Sequence, residues 1–209
     1  MTGIECILLI PFTLNFKKLD RPSRWACYYL ISSVVFAVGS FAFAHLYRNN
    51  LWFYSIMYYI QFVILSIYYS LLIKNPLFRR LIKILPIPAA AIFLLDFFKL
   101  EGVLAYNSIF AAARTFILLC YGTVFFIQLL FDEELVKEAI FVNALPNFWF
   151  NAGLFIFFSC SFFDTLTYNF FLKHYKTHNN LVLSLVFLGG IIEGILFYIG
   201  LMKAKKQRP

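Results

Sequence analysis

Long apolar runs alternate with short polar segments along the whole chain. The apolar runs cover residues 3–16, 23–47, 51–73, 80–100, 106–131, 145–172 and 180–202. An α-helix needs about 20 residues to cross a bilayer, because each residue adds about 1.5 Å of rise. Every run except the first reaches that length. The pattern predicts a single all-α domain over residues 1–209, a bundle of seven transmembrane helices.

The sixth run, residues 145–172, shows two different helix faces. Pro146 suits the first turn of a helix, where a missing N–H costs nothing. At helical spacing, small and polar residues share one face, namely Gly153, Cys160, Ser161, Asp164 and Thr167. The opposite surface is mostly Phe and Leu. We expect one side of this helix to face lipid and the other to face neighbouring helices.

Composition supports lipid as the solvent of this chain. Of its 209 residues, 62% are hydrophobic and only 13% are charged, whereas a soluble domain carries about a quarter charged residues. The net charge of +8 does not indicate nucleic-acid binding, because the basic residues fall in short segments between apolar runs. That placement is typical of topology determinants in membrane proteins.

The basic residues also predict an orientation. With the N-terminus outside and the C-terminus inside, the outer segments hold only Arg48, Lys99, Lys173 and Lys176. The inner segments then hold Lys17, Lys18, Arg21, Arg24, Lys74, Arg79, Arg80, Lys83, Lys137, Lys203, Lys205, Lys206 and Arg208. The positive-inside rule favours this arrangement over the reverse.

Motifs of catalysis and cofactor binding are missing from the sequence. There is no HExxH metalloprotease motif, no GxSxG nucleophile elbow and no glycine-rich phosphate loop. The four cysteines lie inside apolar runs without metal-ligand spacing, so each reads as a small hydrophobic side chain. The sequence therefore predicts a protein that is not an enzyme and that holds no metal and no cofactor.

Polar side chains recur inside two of the apolar runs. In the fifth run Asn107, Arg114, Tyr121 and Gln128 stand seven residues apart, which places them on one helix face. Tyr54, Gln61 and Tyr68 repeat that spacing in the third run, with Tyr58 beside them. One interpretation is hydrogen bonding between helices. The other is a polar cavity with walls on the third, fifth and sixth helices.

Ionisable residues in these runs are the candidates for a functional site, because each costs a few kcal/mol in a bilayer. Arg114 and Asp164 both lie about two turns from the outer ends of their helices, so we expect them to form a buried ion pair. Asp96, in the fourth run, is the alternative partner. Glu193 is an isolated acid in the seventh run, and its glycine neighbours predict close helix packing.

The segment 125–172 resembles a recurring bacterial pattern. Its features are an acidic stretch at Asp132, Glu133 and Glu134, then Pro146 to Trp149, then Gly153 and a Ser-rich Phe-Phe segment. The pattern is similar to that of small, uncharacterised seven-helix inner-membrane proteins, often encoded beside sensor histidine kinases. The resemblance implies a membrane partner or a sensory input for a two-component system.

Two functions fit these observations. The first is a non-enzymatic, multi-pass protein of the inner (cytoplasmic) membrane that signals or binds partners. Its partners would be the lipid bilayer, a sensor kinase or another membrane protein, and a small or lipidic ligand. The alternative is a small-solute or proton-coupled transporter in which Arg114, Asp164 and Glu193 carry protons or substrate.

Overall fold

The structure is a computed structural model that describes residues 2–132, 141–175 and 180–206. Its elements are helical throughout these ranges. They are α1 (Thr2–Leu14), α2 (Arg21–Tyr47), α3 (Leu51–Leu72), α4 (Pro76–Ile84), α5 (Pro86–Leu95), α6 (Ser108–Leu130), α7 (Pro146–Tyr175) and α8 (Asn180–Lys206). Short 3₁₀ turns cover Phe16–Lys18 and Val142–Ala144, and a π-helical turn covers Asp96–Leu100.

Within the described residues, six helical units are long and apolar enough to cross a membrane. They are α2, α3, the α4–α5 unit with its π turn, α6, α7 and α8. The predicted all-α class and the membrane-compatible helices are therefore confirmed. Helix α1 has 13 residues, a length of about 20 Å, and it is not one of the six. The orientation of the termini stays a prediction.

Helix α1 docks on the bundle through one face. The ring of Phe12 is fully buried, 5.8 Å from the ring of Phe150 and 6.4 Å from that of Phe197, centroid to centroid. Ile10 and Leu14, on the other side of α1, are exposed. The short helix thus packs against α7 at Phe150 and against α8 at Phe197.

The fourth span begins earlier than the sequence pattern predicted and is interrupted inside. Asn75 is the N-cap of this helix, and its Oδ1 accepts the N–H of Leu77 at 2.9 Å. This cap starts the helix at Pro76, four residues before the predicted run. Helix α4 ends at Ile84 and α5 begins at Pro86. Because proline lacks an N–H and crowds the preceding turn, Pro86 interrupts the fourth span between these two helices.

Helices α7 and α8 approach each other closely at glycines. A Cβ placed on Gly153 would lie 3.2 Å from the carbonyl oxygen of Glu193, and one on Gly200 would lie 3.0 Å from that of Pro146. Such contacts are possible only where one helix lacks a side chain. Helix α7 also packs along α6, and α2 pairs with α3.

The two ends of the bundle are defined by their loops. At one end, called the Arg48 end, the Asn49 side chain donates to the carbonyl of Leu104 at 3.2 Å. At the other, called the Lys74 end, the Lys74 ammonium lies 2.9 Å from the carboxylate of Asp132. The charge distribution predicts that the Arg48 end faces outside and the Lys74 end inside.

Candidate functional site

A cavity of about 400 Å³ lies in the half of the bundle nearer the Arg48 end. Helices α2, α3, α6, α7 and α8 form its walls. The lining residues are Tyr29, Ser33, Phe36, Ala37, Ser40, Tyr54, Tyr58, Gln61, Arg114, Phe157, Ser161, Asp164, Thr165, Leu183 and Val186. Four of the predicted site residues therefore share one cavity, namely Tyr54, Gln61, Arg114 and Asp164.

Arg114 projects from α6 between two aromatic rings. Its Cζ lies 4.2 Å from the ring centroid of Tyr58 and 5.6 Å from that of Phe158, distances at which a cation is attracted to a ring face. Its Nη1 donates to the carbonyl of Tyr58 at 3.2 Å. The side chain is held in place by helix α3 on one side and helix α7 on the other.

The guanidinium of Arg114 lacks an ionic partner within the described part of the chain. The residue is only 4% exposed, and its Nε is enclosed without a hydrogen-bond partner. No carboxylate of the described residues lies within 4.0 Å of it. The direct ion pair with Asp164 and the alternative pair with Asp96 are therefore not formed in this structure. Cation–π contacts and one carbonyl take the place of a counter-ion.

Helix α7 supplies the polar wall opposite the Tyr58 ring. Phe157, Ser161, Asp164 and Thr165 line the cavity along this helix. Ser161 Oγ is enclosed and makes no hydrogen bond, whereas Thr165 donates to the carbonyl of Phe162 at 2.9 Å. Asp164 thus lines the same cavity as Arg114 but forms no ion pair with it within 4.0 Å.

Aromatic rings line the α2–α3 side of the cavity. The rings of Phe36 and Tyr54 meet edge to face at 4.6 Å, with 78° between their planes. Phe36 lies 5.6 Å from Tyr58, which in turn lies 6.2 Å from Tyr106 in the loop before α6. The rings of Phe36, Tyr54 and Tyr58 therefore form one aromatic wall of the cavity.

A hydrogen bond between α2 and α3 joins two of the residues that line the cavity. Gln61 Nε2 donates to Ser33 Oγ at 3.2 Å, and both residues are buried. Directly below, Phe62 and Leu65 of α3 are fully buried, and Leu118 of α6 is almost so. These three side chains belong to the buried apolar core of α3 and α6.

Gln128, the last member of the predicted polar stripe on α6, ties helices together. Its Nε2 donates to the carbonyl of Leu72 at 3.0 Å, and its Oε1 accepts the N–H of Lys74 at 2.6 Å. Tyr121, one step earlier, stacks on Phe62 at 6.5 Å between centroids. Tyr121 and Gln128 of the stripe therefore pack against α3. Arg114, on the same face of α6, lines the cavity.

Asp96 and Asn107 organise the connection between the fourth span and α6. The Oδ2 of Asp96, a fully buried residue, accepts the N–H of Phe110 at 2.8 Å. With its amide oriented to suit its neighbours, Asn107 donates to the carbonyls of Ala105 and Gly102. Both side chains bond the backbone, as capping residues do, and neither lines the cavity.

Glu193 lies in the α7–α8 interface, apart from the cavity walls. It is 6% exposed, and its backbone forms the surface against which Gly153 packs. Cys160 of α7 likewise faces α8, at Gly189. The predicted polar face of α7 is thus divided, since Gly153 and Cys160 face α8, whereas Ser161 and Asp164 face the cavity.

The sequence interpretation missed the part of the wall that helix α2 contributes. Tyr29, Ser33 and Ser40 line the cavity from that helix. They recur at helical spacing, four and then seven residues apart, which is a signal for one helix face. Asn151 of α7 was also missed; it accepts from the Tyr69 hydroxyl at 2.7 Å and donates to the carbonyl of Gly122 at 3.2 Å.

Compared with known proteins, the chain matches no family model, no curated protein and no solved structure. A functional interpretation therefore depends on the geometry of the cavity and on the chemistry of its walls.

Proposed function

We propose that this protein is a non-enzymatic, ligand-binding membrane protein in which Arg114 holds the anionic group of a small or lipidic ligand. One observation carries the proposal. Arg114 is a buried arginine that lines a cavity and has no carboxylate within 4.0 Å among the described residues.

The cost of burying this charge favours a ligand. A cationic side chain inside a membrane costs at least a few kcal/mol unless other groups compensate for lost hydration. The Tyr58 ring and carbonyl compensate for part of that cost, but the guanidinium keeps donors that no described group accepts. A carboxylate or phosphate suits those donors, because arginine binds both in a planar, two-point geometry.

The shape of the site also supports ligand binding. Pockets for small molecules range from about 300 to 1,000 Å³ and combine apolar walls with a few converging polar groups. This cavity, at about 400 Å³, has ring faces at Phe36, Tyr54 and Tyr58 and polar groups at Gln61, Ser161 and Thr165. A ligand with an anionic group and an apolar part would match these walls.

We propose a receptor in preference to the alternative function of a transporter, and a buried apolar layer of α3 and α6 supports that order. A transporter site lies near the membrane midplane and opens in turn to each side. A second cavity, of about 380 Å³, lies at the Lys74 end beside Lys74, Gln128 and Asp132. The buried layer with Phe62 and Leu65 stands between the two cavities. In a receptor, the ligand would act by changing how the helices around Arg114 pack.

A signalling role would need a partner in the membrane. The resemblance of segment 125–172 suggests a sensor kinase or a similar membrane protein as that partner. Helix surfaces away from the core carry exposed apolar side chains such as Val38, Phe41 and Phe116. These surfaces suit lipid, and they also suit the helices of another membrane protein.

Ligand capture tests this proposal. The wild-type protein, Arg114→Gln and the control Arg80→Gln are extracted in a mild detergent and analysed by native mass spectrometry. Arg80 is an exposed residue of α4, so its loss leaves the cavity unchanged. We expect an anionic molecule on the wild type and on Arg80→Gln, and its loss from Arg114→Gln. An identical set of bound molecules on all three proteins would contradict the proposal.

A flux measurement separates the receptor from the transporter. The molecule captured by the wild type is loaded outside proteoliposomes that contain the protein, and its uptake is compared with that of empty liposomes. We expect binding without uptake. Uptake above the empty-liposome rate that disappears in Arg114→Gln would favour the transporter.

A further inference from the structure

An apolar groove runs along the outer surface of helices α2 and α3. It has a volume of about 640 Å³, and its walls include Trp25, Tyr28, Ile31 and Val35 of α2 with Ile60 and Ile64 of α3. Tyr28, Val35 and Ile60 are exposed. The described part of the chain therefore leaves this α2–α3 groove open to its surroundings, which for a membrane helix are lipid.

Two arginines lie at one end of the groove. Helix α2 ends at Tyr47, beside the Arg48 end, so its first residue, Arg21, lies at the Lys74 end. At 3.6 residues per turn, Arg21 and Arg24 share the helix face of Tyr28. Along this face the side chains change from cationic to aromatic and then to aliphatic. A phospholipid changes from phosphate to ester groups to acyl chains in the same order.

We propose that the α2–α3 groove binds one anionic phospholipid of the bilayer, with its phosphate on Arg21 and Arg24 and one acyl chain along the aliphatic part of the groove. The Arg114 cavity lies on another side of α2, at Ser33 and Ser40. The inference therefore goes beyond the proposed function, and either site can bind its ligand without the other.

The two arginines have donors for a phosphate. The side chain of Arg21 is exposed and forms no hydrogen bond or ion pair with the described residues. Arg24 is held in place, because its Nε donates to the carbonyl of Leu19 at 3.0 Å. The carboxylate of Asp20 accepts the N–H of Ser23 and pairs with neither arginine. Arginine binds phosphate in a planar, two-point geometry, so an anionic headgroup fits this end of the groove.

Two aromatic side chains connect the arginines to the aliphatic part of the groove. The rings of Trp25 and Tyr28 meet edge to face at 5.3 Å, and Tyr28 lies 5.6 Å from the ring of Phe16. The indole N–H of Trp25 and the hydroxyl of Tyr28 donate to no described group. Such side chains place their rings beside acyl chains and their polar atoms toward headgroups. The ester oxygens of a phospholipid lie at this level.

Headgroup contacts are expected to decide which lipid binds. Lipid tails are as apolar as the walls of the groove, so contacts with an acyl chain add little preference for one lipid over another. By contrast, each Lys or Arg beside an anionic lipid surface contributes about 1 kcal/mol, a factor of about five in affinity. The groove positions the lipid, and the arginines select a negative headgroup.

Native mass spectrometry of the full-length protein tests this site. The protein, in a mild detergent, is titrated with phosphatidylglycerol and with phosphatidylcholine that carry the same acyl chains. Arg21→Gln removes the exposed cation, and Ile60→Trp fills the groove. The matched controls are Arg80→Gln, at an exposed position of α4, and Ile92→Trp, at an exposed position of α5.

We expect the wild type to bind phosphatidylglycerol about fivefold or more tightly than phosphatidylcholine. Arg21→Gln should lose most of that preference and keep its affinity for phosphatidylcholine. Ile60→Trp should weaken the binding of both lipids, because the added ring occupies the position of the acyl chain. Both control variants should bind the two lipids as the wild type does.

Three results would overturn the inference. The first is equal affinity of the wild type for the two lipids. The second is binding by Arg21→Gln that matches the control Arg80→Gln. The third is loss of the preference in Arg114→Gln and not in Arg21→Gln, which would place the anionic lipid in the Arg114 cavity and leave the proposed function standing. Arg21 is exposed, so its variant decides the inference even if Ile60→Trp does not fold.

Discussion

The guanidinium of Arg114 lies over the ring of Tyr58, with its Cζ 4.2 Å from the ring centroid, and its Nη1 donates to the carbonyl of the same residue. One residue of α3 thus supplies two of the contacts that make a buried arginine tolerable inside the bundle. Arg114 also lines the cavity, and its enclosed Nε has no hydrogen-bond partner.

The Tyr58 ring is predicted to stabilise Arg114. A cation–π contact that is shielded from water contributes about 2 kcal/mol. Tyr58→Leu should therefore lower the free energy of unfolding in detergent by about 2 kcal/mol or more, and Tyr58→Phe, which keeps the ring, should lower it much less. Thermal unfolding followed by fluorescence measures both. Equal losses in the two variants would show that the ring face contributes nothing.

Gln128 is predicted to hold the α3–α4 connection to the end of α6. Gln128→Leu removes one hydrogen bond to the Leu72 carbonyl and one to the Lys74 N–H. Each such loss costs about 1 kcal/mol, and more where a backbone group stays unsatisfied. The control Thr123→Val changes an exposed residue of the same helix. A Gln128→Leu protein as stable as this control would contradict the prediction.

The salt bridge between Lys74 and Asp132 should contribute less to the free energy of unfolding than the two hydrogen bonds of Gln128. The side chain of Lys74 is 57% exposed, whereas that of Asp132 is 9% exposed. Water around the ammonium screens the pair, and exposed ion pairs contribute about 0–1 kcal/mol. Lys74→Met should therefore shift the unfolding midpoint less than Gln128→Leu does. The two variants are compared by thermal unfolding at low and at high salt. A larger loss in Lys74→Met at both salt concentrations would reverse this ranking.

Gly200 is predicted to set the distance between α7 and α8. A Cβ at this position would lie 2.6 Å from the Phe150 ring and 3.0 Å from the Pro146 carbonyl oxygen. Gly200→Ala should destabilise the protein by about 1–3 kcal/mol, the usual cost of overpacking. Ala91→Leu, at an exposed position of α5, serves as the control for added volume. If both variants unfold at the wild-type temperature, the prediction that Gly200 is required for the close packing of α7 and α8 is wrong.

The orientation of the bundle is predicted from charge alone. The basic residues of the Lys74 end favour the cytoplasmic side, so a reporter fused at Pro209 should read as cytoplasmic. A reporter inserted at Asn49, in the α2–α3 turn at the Arg48 end, should read as extracytoplasmic. The opposite readings at both sites would invert the topology, and a cytoplasmic reading at both would show that the inserted reporter disturbs it.

Local pattern was enough to predict the helices. Pro22, which follows the Asp20 cap of α2, marks a helix start by chemistry that acts within one turn. The same chemistry at Asn75 and Pro76 starts α4 four residues before the predicted run, so this boundary was wrong. The long apolar runs predicted the six membrane-compatible helices of the described residues, because in lipid a helix satisfies every backbone N–H and C=O group within its own segment. The seven-residue spacing on α6 correctly placed Arg114 and Gln128 on one face.

What that face does was decided by tertiary structure. Gln128 meets the end of α3 and forms hydrogen bonds there, whereas Arg114 meets the gap between α3 and α7 and lines a cavity. Helical spacing gives the direction of a side chain along its own helix, but the identity and the distance of its neighbour depend on how other helices pack. For the same reason, the sequence suggested that Arg114 and Asp164 would pair at equal depth, and the packing of the helices instead holds the two charges on separate walls.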